Sequence, residues 1–165
     1  MADSQQPRSS QPVPRCDDPL AAFAGTWRGT GEGHYPTIAD FTYTEEIELS
    51  PVPGKPFLFY RSRTRAGDDG RPLHTETGYL RPTGDAVELL ITQPTGFVEI
   101  HRATEADGVL DFAEILLGAS PDAKDVHAVR RRFVVAGDTL SYDMWMAFAD
   151  VPMTHHLRAE LRRAH

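Results

Sequence analysis

Hydrophobic and polar residues alternate along most of this chain, in short runs. The clearest run lies between Thr139 and Ala149. One face of it is apolar and consists of Leu140, Tyr142, Met144, Met146 and Phe148. A period of two residues is typical of a β-strand with one buried face, because successive side chains of a strand point to opposite sides. The run therefore predicts a strand.

Turn signals separate these alternating runs at hairpin spacing. They combine Gly with Pro, Thr or Asp, residues that supply the backbone conformations of tight turns. They lie at 51–54, 67–70, 83–85, 94–96, 107–108 and 137–138. About ten short strands joined in this way predict an all-β fold, a single up-and-down antiparallel barrel with room for one ligand. Closure is expected because it removes the exposed edges of such a sheet.

Composition adds limits on partners and location. Residues 1–17 are rich in Ser, Gln, Pro and Arg and are predicted to be a disordered tail, so the folded domain is expected to span 18–165. The net charge of −7 disfavours nucleic acid and anionic membranes as partners, since both attract basic surfaces. The single cysteine, Cys16, excludes a disulfide within the chain and suits a reducing compartment. A cytoplasmic location is therefore expected.

A stripe of glycines marks the first predicted strand. If residues 25–38 form a strand, four glycines and two aromatic residues point to the same face: Gly25, Trp27, Gly29, Gly31, Gly33 and Tyr35. Glycine weakens a strand and packs nothing, so four on one face need a reason. Either a flat or bulky group approaches this backbone closely, or the glycines relieve crowding where the barrel bends, with Trp27 closing its base.

An ordered set of motifs carries a family resemblance. Residues Gly25–Gly31 (GTWRGTG) match a GxWxGxG motif that continues as Tyr-Pro-Thr-Ile at 35–38. Further matches are Glu45-Glu46, Gly54–Leu58, Pro72–Arg81 and Met153–Leu157. From about Pro19 to Arg163 the chain resembles the nitrobindin family. A lone GxW would be weak, because lipocalins share it, but the full set in this order is specific.

This resemblance implies a ten-stranded barrel, related to fatty-acid-binding proteins without their helical lid, that holds one ferric heme b per chain in its mouth. It implies His156 as the axial iron ligand and Thr37 as a heme contact. It also implies Lys124 near the heme edge, where it could neutralise a propionate, although the residues alone favour a solvated surface lysine. The implied activity is binding of nitric oxide and isomerisation of peroxynitrite to nitrate. A homodimer is possible by the same analogy. Leu140, Met144, Met146 and Phe148 are expected in the cavity wall.

The histidine assignment contains a conflict. The chain has seven histidines, and strict alternation places His155, not His156, on the face of Leu157 and Leu161. The motif indicates His156. A bulge near Pro152–His155 could re-aim one side chain, so His156 is preferred and His155 stays as the alternative.

Other polar residues receive smaller expectations. His74 precedes a predicted strand and could face the cavity. Glu45 and Glu46 are adjacent and therefore point to opposite faces of a strand, which argues against a paired-carboxylate site.

The competing function is a lipocalin-like carrier of a fatty acid or other apolar ligand, or a nitric oxide carrier or sensor without catalysis. The presence of the histidine favours heme.

Overall fold

Ten antiparallel strands close into a barrel in the computed structural model, which describes residues 18–164. Each strand pairs with its neighbours in sequence, and β10 pairs with β1. The strands are β1 Gly25–Tyr35, β2 Ile38–Pro51, β3 Leu58–Ala66, β4 Pro72–Thr83, β5 Ala86–Thr92, β6 Phe97–Ala103, β7 Val109–Ala119, β8 Val126–Ala136, β9 Thr139–Phe148 and β10 Val151–Ala164. The predicted up-and-down all-β barrel is confirmed.

The described residues contain strands and turns but no helix, in keeping with the expected lack of a helical lid. None of them forms a helix long and apolar enough to cross a membrane. The predicted tail over 1–17, with Cys16, lies outside the described residues.

The predicted alternation and turns recur in the structure. In β9 the side chains of Leu140, Tyr142 and Met144 are buried in the interior, and each predicted turn lies at or between strand ends. The run 25–38 is not one strand, however. It ends at Tyr35, and Pro36 and Thr37 form a tight turn that pairs Tyr35 with Ile38. Proline favours this turn because its ring fixes φ.

The barrel is closed at the end where β1 begins. A turn over residues 18–24 buries Leu20 and Phe23 against this end. The indole of Trp27 is fully buried and donates a hydrogen bond of 2.9 Å to the Phe23 carbonyl. The guanidinium of Arg163 lies 4.0 Å from the centre of the Trp27 ring. Trp27 therefore closes the base, as expected.

The glycine stripe accommodates the protein's own groups. A Cβ at Gly29 would lie 2.0 Å from the Glu160 carbonyl oxygen of β10. Those at Gly31 and Gly33 would overlap the rings of Tyr43 and Phe41, their direct partners on β2. Flat groups thus do approach this backbone closely, as the first explanation expects. They are neighbouring side chains of the barrel, whose crowding the glycines relieve, as the second expects.

One row of apolar side chains crosses the outer surface of five strands. It is formed by residues paired from strand to strand, and we call it the outer apolar row: Phe59, Tyr79, Leu90, Ile100 and Leu116. Tyr79 is 44% exposed and Leu116 is 46% exposed. These side chains contribute nothing to the interior, because they point away from it.

Candidate functional site

A cavity of about 1090 Å³ opens at the end of the barrel opposite Trp27. Its volume lies just above the ~300–1,000 Å³ range of small-molecule and cofactor pockets. The three residues implied as heme contacts, Thr37, Lys124 and His156, all line it, and so does His74. Around the mouth the lining is mostly apolar and aromatic: Tyr35, Phe41, Met144, Met146, Phe148 and Leu157. Sequence motifs far apart in the chain thus meet at one opening.

A β-bulge directs His156 into this cavity. On β9 the consecutive residues Trp145 and Met144 pair with His155 and Leu157 of β10, so His156 is the extra residue. An extra residue on one strand shifts the alternation and re-aims its side chain. The strict alternation predicted from sequence is therefore wrong at this point, although it holds from Leu157 onward.

His155 lies on the outer side of the barrel. Its Nε2 is 2.9 Å from a carboxylate oxygen of Asp143, and its ring packs edge-on against Trp145 with centroids 5.1 Å apart. It does not line the cavity. The alternative assignment of the cavity histidine to His155 is thus contradicted by the position of its side chain.

Hydrogen bonding fixes the protonation of the His156 ring. Its Nδ1 lies 3.0 Å from the carbonyl oxygen of His34. A carbonyl only accepts, so Nδ1 carries the proton and Nε2 keeps its lone pair. Nε2 has no hydrogen-bond partner among residues 18–164. Burial lowers the pKa of His156, and the bond to His34 opposes this only in part. The neutral imidazole is the form that binds a metal.

Aromatic side chains hold this imidazole in place. The ring of Tyr35 packs edge-on against it at 5.2 Å and that of Phe41 at 6.3 Å between centroids. The Tyr35 hydroxyl in turn donates to the Met146 carbonyl of β9, on the far side of β10, at 3.1 Å. The imidazole is therefore oriented from β1, β2 and β10 together.

Thr37 and Lys124 reach the mouth from two connections. Thr37 belongs to the β1–β2 turn, and Lys124 to the loop between β7 and β8. Both are exposed. One expected member of the cavity wall is misplaced: Leu140 is fully buried in the core and does not line the cavity, whereas Met144, Met146 and Phe148 do.

A group of charged side chains, missed by the sequence analysis, lies inside the barrel. We call it the inner polar cluster: Glu45, Glu76, Glu99 and Arg131. All four are buried and all line the cavity. Glu46, the neighbour of Glu45, points outward and pairs with Arg28 and Arg63, which confirms that the two carboxylates face opposite ways.

Arg131 uses every donor it has, on two glutamates of this cluster and on Tyr142. It binds Glu76 through Nη1 and Nη2 at 3.0 and 2.8 Å. It binds Glu99 through Nε and Nη2 at 2.8 and 2.9 Å, and Nη1 also donates to the Tyr142 hydroxyl at 2.8 Å. A guanidinium has five N–H donors in all. The arginine is therefore saturated.

The carboxylates of the cluster differ in charge state. Burial raises the pKa of Glu45 to about 7, and the hydrogen bond from Ser62, at 2.8 Å, offsets this only in part. Burial acts in the same direction on Glu76, but the Arg131 guanidinium and then His74 hold the pKa of Glu76 well below its ordinary value. Glu76 is thus an ionised partner of Arg131, whereas Glu45 is a weak acid that forms no salt bridge with a described residue.

The residues at the mouth fit a heme. Within residues 18–164, no group of three or more His, Cys, Asp or Glu side chains is arranged to hold a metal ion. A single imidazole beside an apolar cavity instead matches a cofactor that brings its own equatorial ligands and takes one axial histidine from the protein. Lys124 supplies a cation at the rim, where a propionate carboxylate would need one.

Fold and mouth together define a ligand-binding barrel of the heme-carrying class. A family model described as "THAP4-like, heme-binding beta-barrel domain" matches residues 18–163. The chain belongs to this family, and heme is its cofactor. The family resemblance expected from the motifs is confirmed.

Relatives with high identity cover nearly the same length. The chain is 56% identical over 156 residues to "Peroxynitrite isomerase 1" of Rhodococcus jostii, covering 94% of this chain and 88% of the relative. It is 54% identical over 149 residues to "Peroxynitrite isomerase" of Nocardia farcinica, covering 87% and 88%. The solved structure of Rv2717c from M. tuberculosis superposes with a TM-score of 0.81 at 41% identity, covering 88% of this chain and 95% of that one.

Proposed function

We propose that this protein is a ferric heme enzyme that isomerises peroxynitrite to nitrate, with one heme per chain held by His156. The observation that carries the proposal is the Nε2 lone pair of His156, oriented by the His34 carbonyl at the cavity mouth. Relatives at 56% and 54% identity that bear the name peroxynitrite isomerase support the activity. When bound, ferric heme would supply a Lewis-acidic iron able to bind peroxynitrite or nitric oxide.

The protein's own residues bind and orient. The His34 carbonyl accepts a hydrogen bond from Nδ1–H of His156, which increases the basicity of the ring and fixes its plane. Tyr35 and Phe41 restrict rotation of the ring. Met144, Met146 and Leu157 exclude water from the apolar side of the site. Thr37 and Lys124 are proposed as contacts at the heme edge, the lysine neutralising a propionate.

Paired substitutions test the axial ligand. His156→Ala is expected to lose the Soret band of the hemin-loaded chain and to abolish acceleration of peroxynitrite decay in stopped-flow measurements. His155→Ala, adjacent in sequence but outside the cavity, is the matched control and is expected to keep both. Loss of the Soret band in the His155 variant alone would contradict the assignment. If the wild-type chain binds heme but peroxynitrite decays at the same rate with and without it, heme binding stands and the proposed enzymatic activity is wrong.

Two accompanying proposals concern assembly and location. We propose a homodimer formed through the outer apolar row, since five apolar side chains in register offer a self-complementary surface. Tyr79→Lys is then expected to halve the mass measured by light scattering, and an unchanged mass would exclude this surface.

A cytoplasmic location is proposed because the chain has a single cysteine.

A further inference from the structure

The inner polar cluster has no task in heme ligation, yet it lines the cavity below the mouth. Buried ionised groups are costly, so a cluster of them within an apolar barrel needs an explanation. Its geometry bears on which ligands the cavity accepts, because any amphiphile entering with its polar head first would meet these four side chains.

Above pH 7, where Glu45 is ionised, a carboxylate ligand finds no free donor on Arg131. A lone buried arginine in a barrel would bind a carboxylate through its two-pronged guanidinium. In this chain Glu76 and Glu99 occupy both prongs of Arg131, and Tyr142 takes the remaining donor. The internal glutamates stand where a ligand's carboxylate would have to bind.

The neighbouring donors are also engaged. Tyr60 donates to Glu76 at 3.0 Å, Ser62 donates to Glu45 at 2.8 Å, and the Gln93 amide donates to Glu99. The two nearby imidazoles face carboxylates as well, with His74 Nε2 3.3 Å from Glu76 and His101 Nε2 2.6 Å from Glu99.

The charge of the cluster, like its hydrogen bonding, disfavours binding of a carboxylate ligand. Among these four side chains, Glu76 and Glu99 against Arg131 already leave one excess negative charge, and ionisation of Glu45 adds a second. Because the site is buried, this excess is poorly screened and opposes a second anion strongly.

We propose that Glu76 and Glu99 are specificity-determining residues that exclude carboxylate-bearing ligands, such as fatty acids, from the interior of the barrel. The inference goes beyond heme binding and peroxynitrite chemistry. It explains how a barrel of this shape avoids the ligands that its volume would otherwise admit.

Binding of octanoate and octanol to the full-length, hemin-free chain at pH 8 tests the proposal. Both have an eight-carbon chain, and they differ in charge. Octanol is expected to bind the wild-type chain at least about tenfold more tightly than octanoate in calorimetry. Equal affinities, or no binding of octanol, would overturn the proposal.

A graded series of variants tests the same point by gain of function. Octanoate affinity is expected to rise at least about tenfold in Glu76→Gln and further in Glu76→Gln/Glu99→Gln, since each change frees donors of Arg131 and removes one negative charge. Glu88→Gln is the matched control, because Glu88 lies outside the barrel wall and pairs with Arg81. It is expected to leave octanoate affinity unchanged.

Two readouts keep the outcomes distinct. If the double variant unfolds, as thermal melting would reveal, the octanol–octanoate comparison on the wild-type chain decides alone. If it folds and gains no octanoate affinity over Glu88→Gln, the proposal is wrong. Hemin titration of the same proteins reports separately on His156, so a failure of heme ligation would not be mistaken for a failure of anion exclusion.

Discussion

The closed end and the mouth of the barrel are made from the same two strands, β1 and β10, in opposite ways. The pairing of β1 with β10 is unbroken from Thr26–Ala164 at the closed end to Gly33–Leu157 near the mouth. At the closed end Trp27 has both a hydrogen-bond partner and a stacked guanidinium. At the mouth β10 bulges, and His156 keeps an unused lone pair. Stability and chemistry are thus separated along the strand direction, which lets the mouth vary without loss of the core.

The largest loss of stability is expected from Trp27→Ala at the closed end. It removes a fully buried ring and its hydrogen bond, and comparable deletions cost about 3–5 kcal/mol. Urea unfolding of the hemin-free chain measures this. Trp145→Ala is the matched control, because Trp145 is only half-buried, on the outer side against Arg130 and His155. Similar losses in the two variants would contradict the assignment of the core to the closed end.

Glu45→Gln, deeper in the cavity, is expected to change the pH dependence of the free energy of unfolding. The pKa of Glu45 is raised from 4.5 to about 7, so the folded chain retains a proton that the unfolded chain releases in this window. The contribution of Glu45 to stability therefore falls as the pH rises from 4.5 to 7, and the glutamine variant escapes this loss. The variant should gain up to about 3 kcal/mol relative to the wild type across the window.

Glu46→Gln is the adjacent control with opposite sign. The hydrogen bonds from Arg28 and then Arg63 lower the pKa of Glu46, so its contribution is present above its unfolded pKa and is lost as the pH falls. This variant should therefore lose stability relative to the wild type at neutral pH. Parallel pH profiles of the two variants in urea unfolding would refute the contrast.

Two glycines of β1 should respond differently to alanine. At Gly29 the added methyl meets the backbone oxygen of Glu160, which cannot move away, and overpacking of this kind costs about 1–3 kcal/mol. At Gly33 it meets only the ring of Phe41. We expect a smaller loss of stability for Gly33→Ala but weaker hemin binding, since Phe41 packs against His156. Unfolding and hemin titration of both variants separate the two effects, and weaker hemin binding in the Gly29 variant alone would reverse the interpretation.

The smallest effect on the hemin-free chain is expected from His156→Ala. It removes one hydrogen bond to the His34 carbonyl, worth about 1 kcal/mol or less. Added hemin should raise the melting temperature of the wild type and of His155→Ala but not of this variant, because ligand binding stabilises only a chain that binds. A melting temperature of the His156 variant that rises with hemin to the same extent would show that another residue holds the iron.

Local patterns predicted the strands, and the motif resemblance predicted which distant segments meet. The alternation of Leu140 through Met144 is visible in the sequence, and so is the turn chemistry. The bulge at His156 is not, because it depends on pairing with β9, and alternation alone gives His155. The close approach of Glu160 to Gly29 is equally invisible, since it joins segments near opposite ends of the sequence.

Arg131 carried a signal that was overlooked. It shares the inward phase of Val129, Phe133 and Val135 on β8. Its flanking arginines, Arg130 and Arg132, made the run look uniformly polar, although only the middle one is buried. A charged residue in phase with buried apolar ones is thus a useful sign of an interior polar cluster.

The pairing of β1 with β10 has a consequence for folding kinetics. Contacts such as Thr26 with Ala164 join residues at nearly the greatest separation that the described chain allows, and contacts of high order form slowly, because a long loop must first be closed. The imidazole of His156 meets Tyr35 and Phe41 only when this seam forms. We therefore expect the mouth to be among the last regions to form, with heme binding following closure of the barrel.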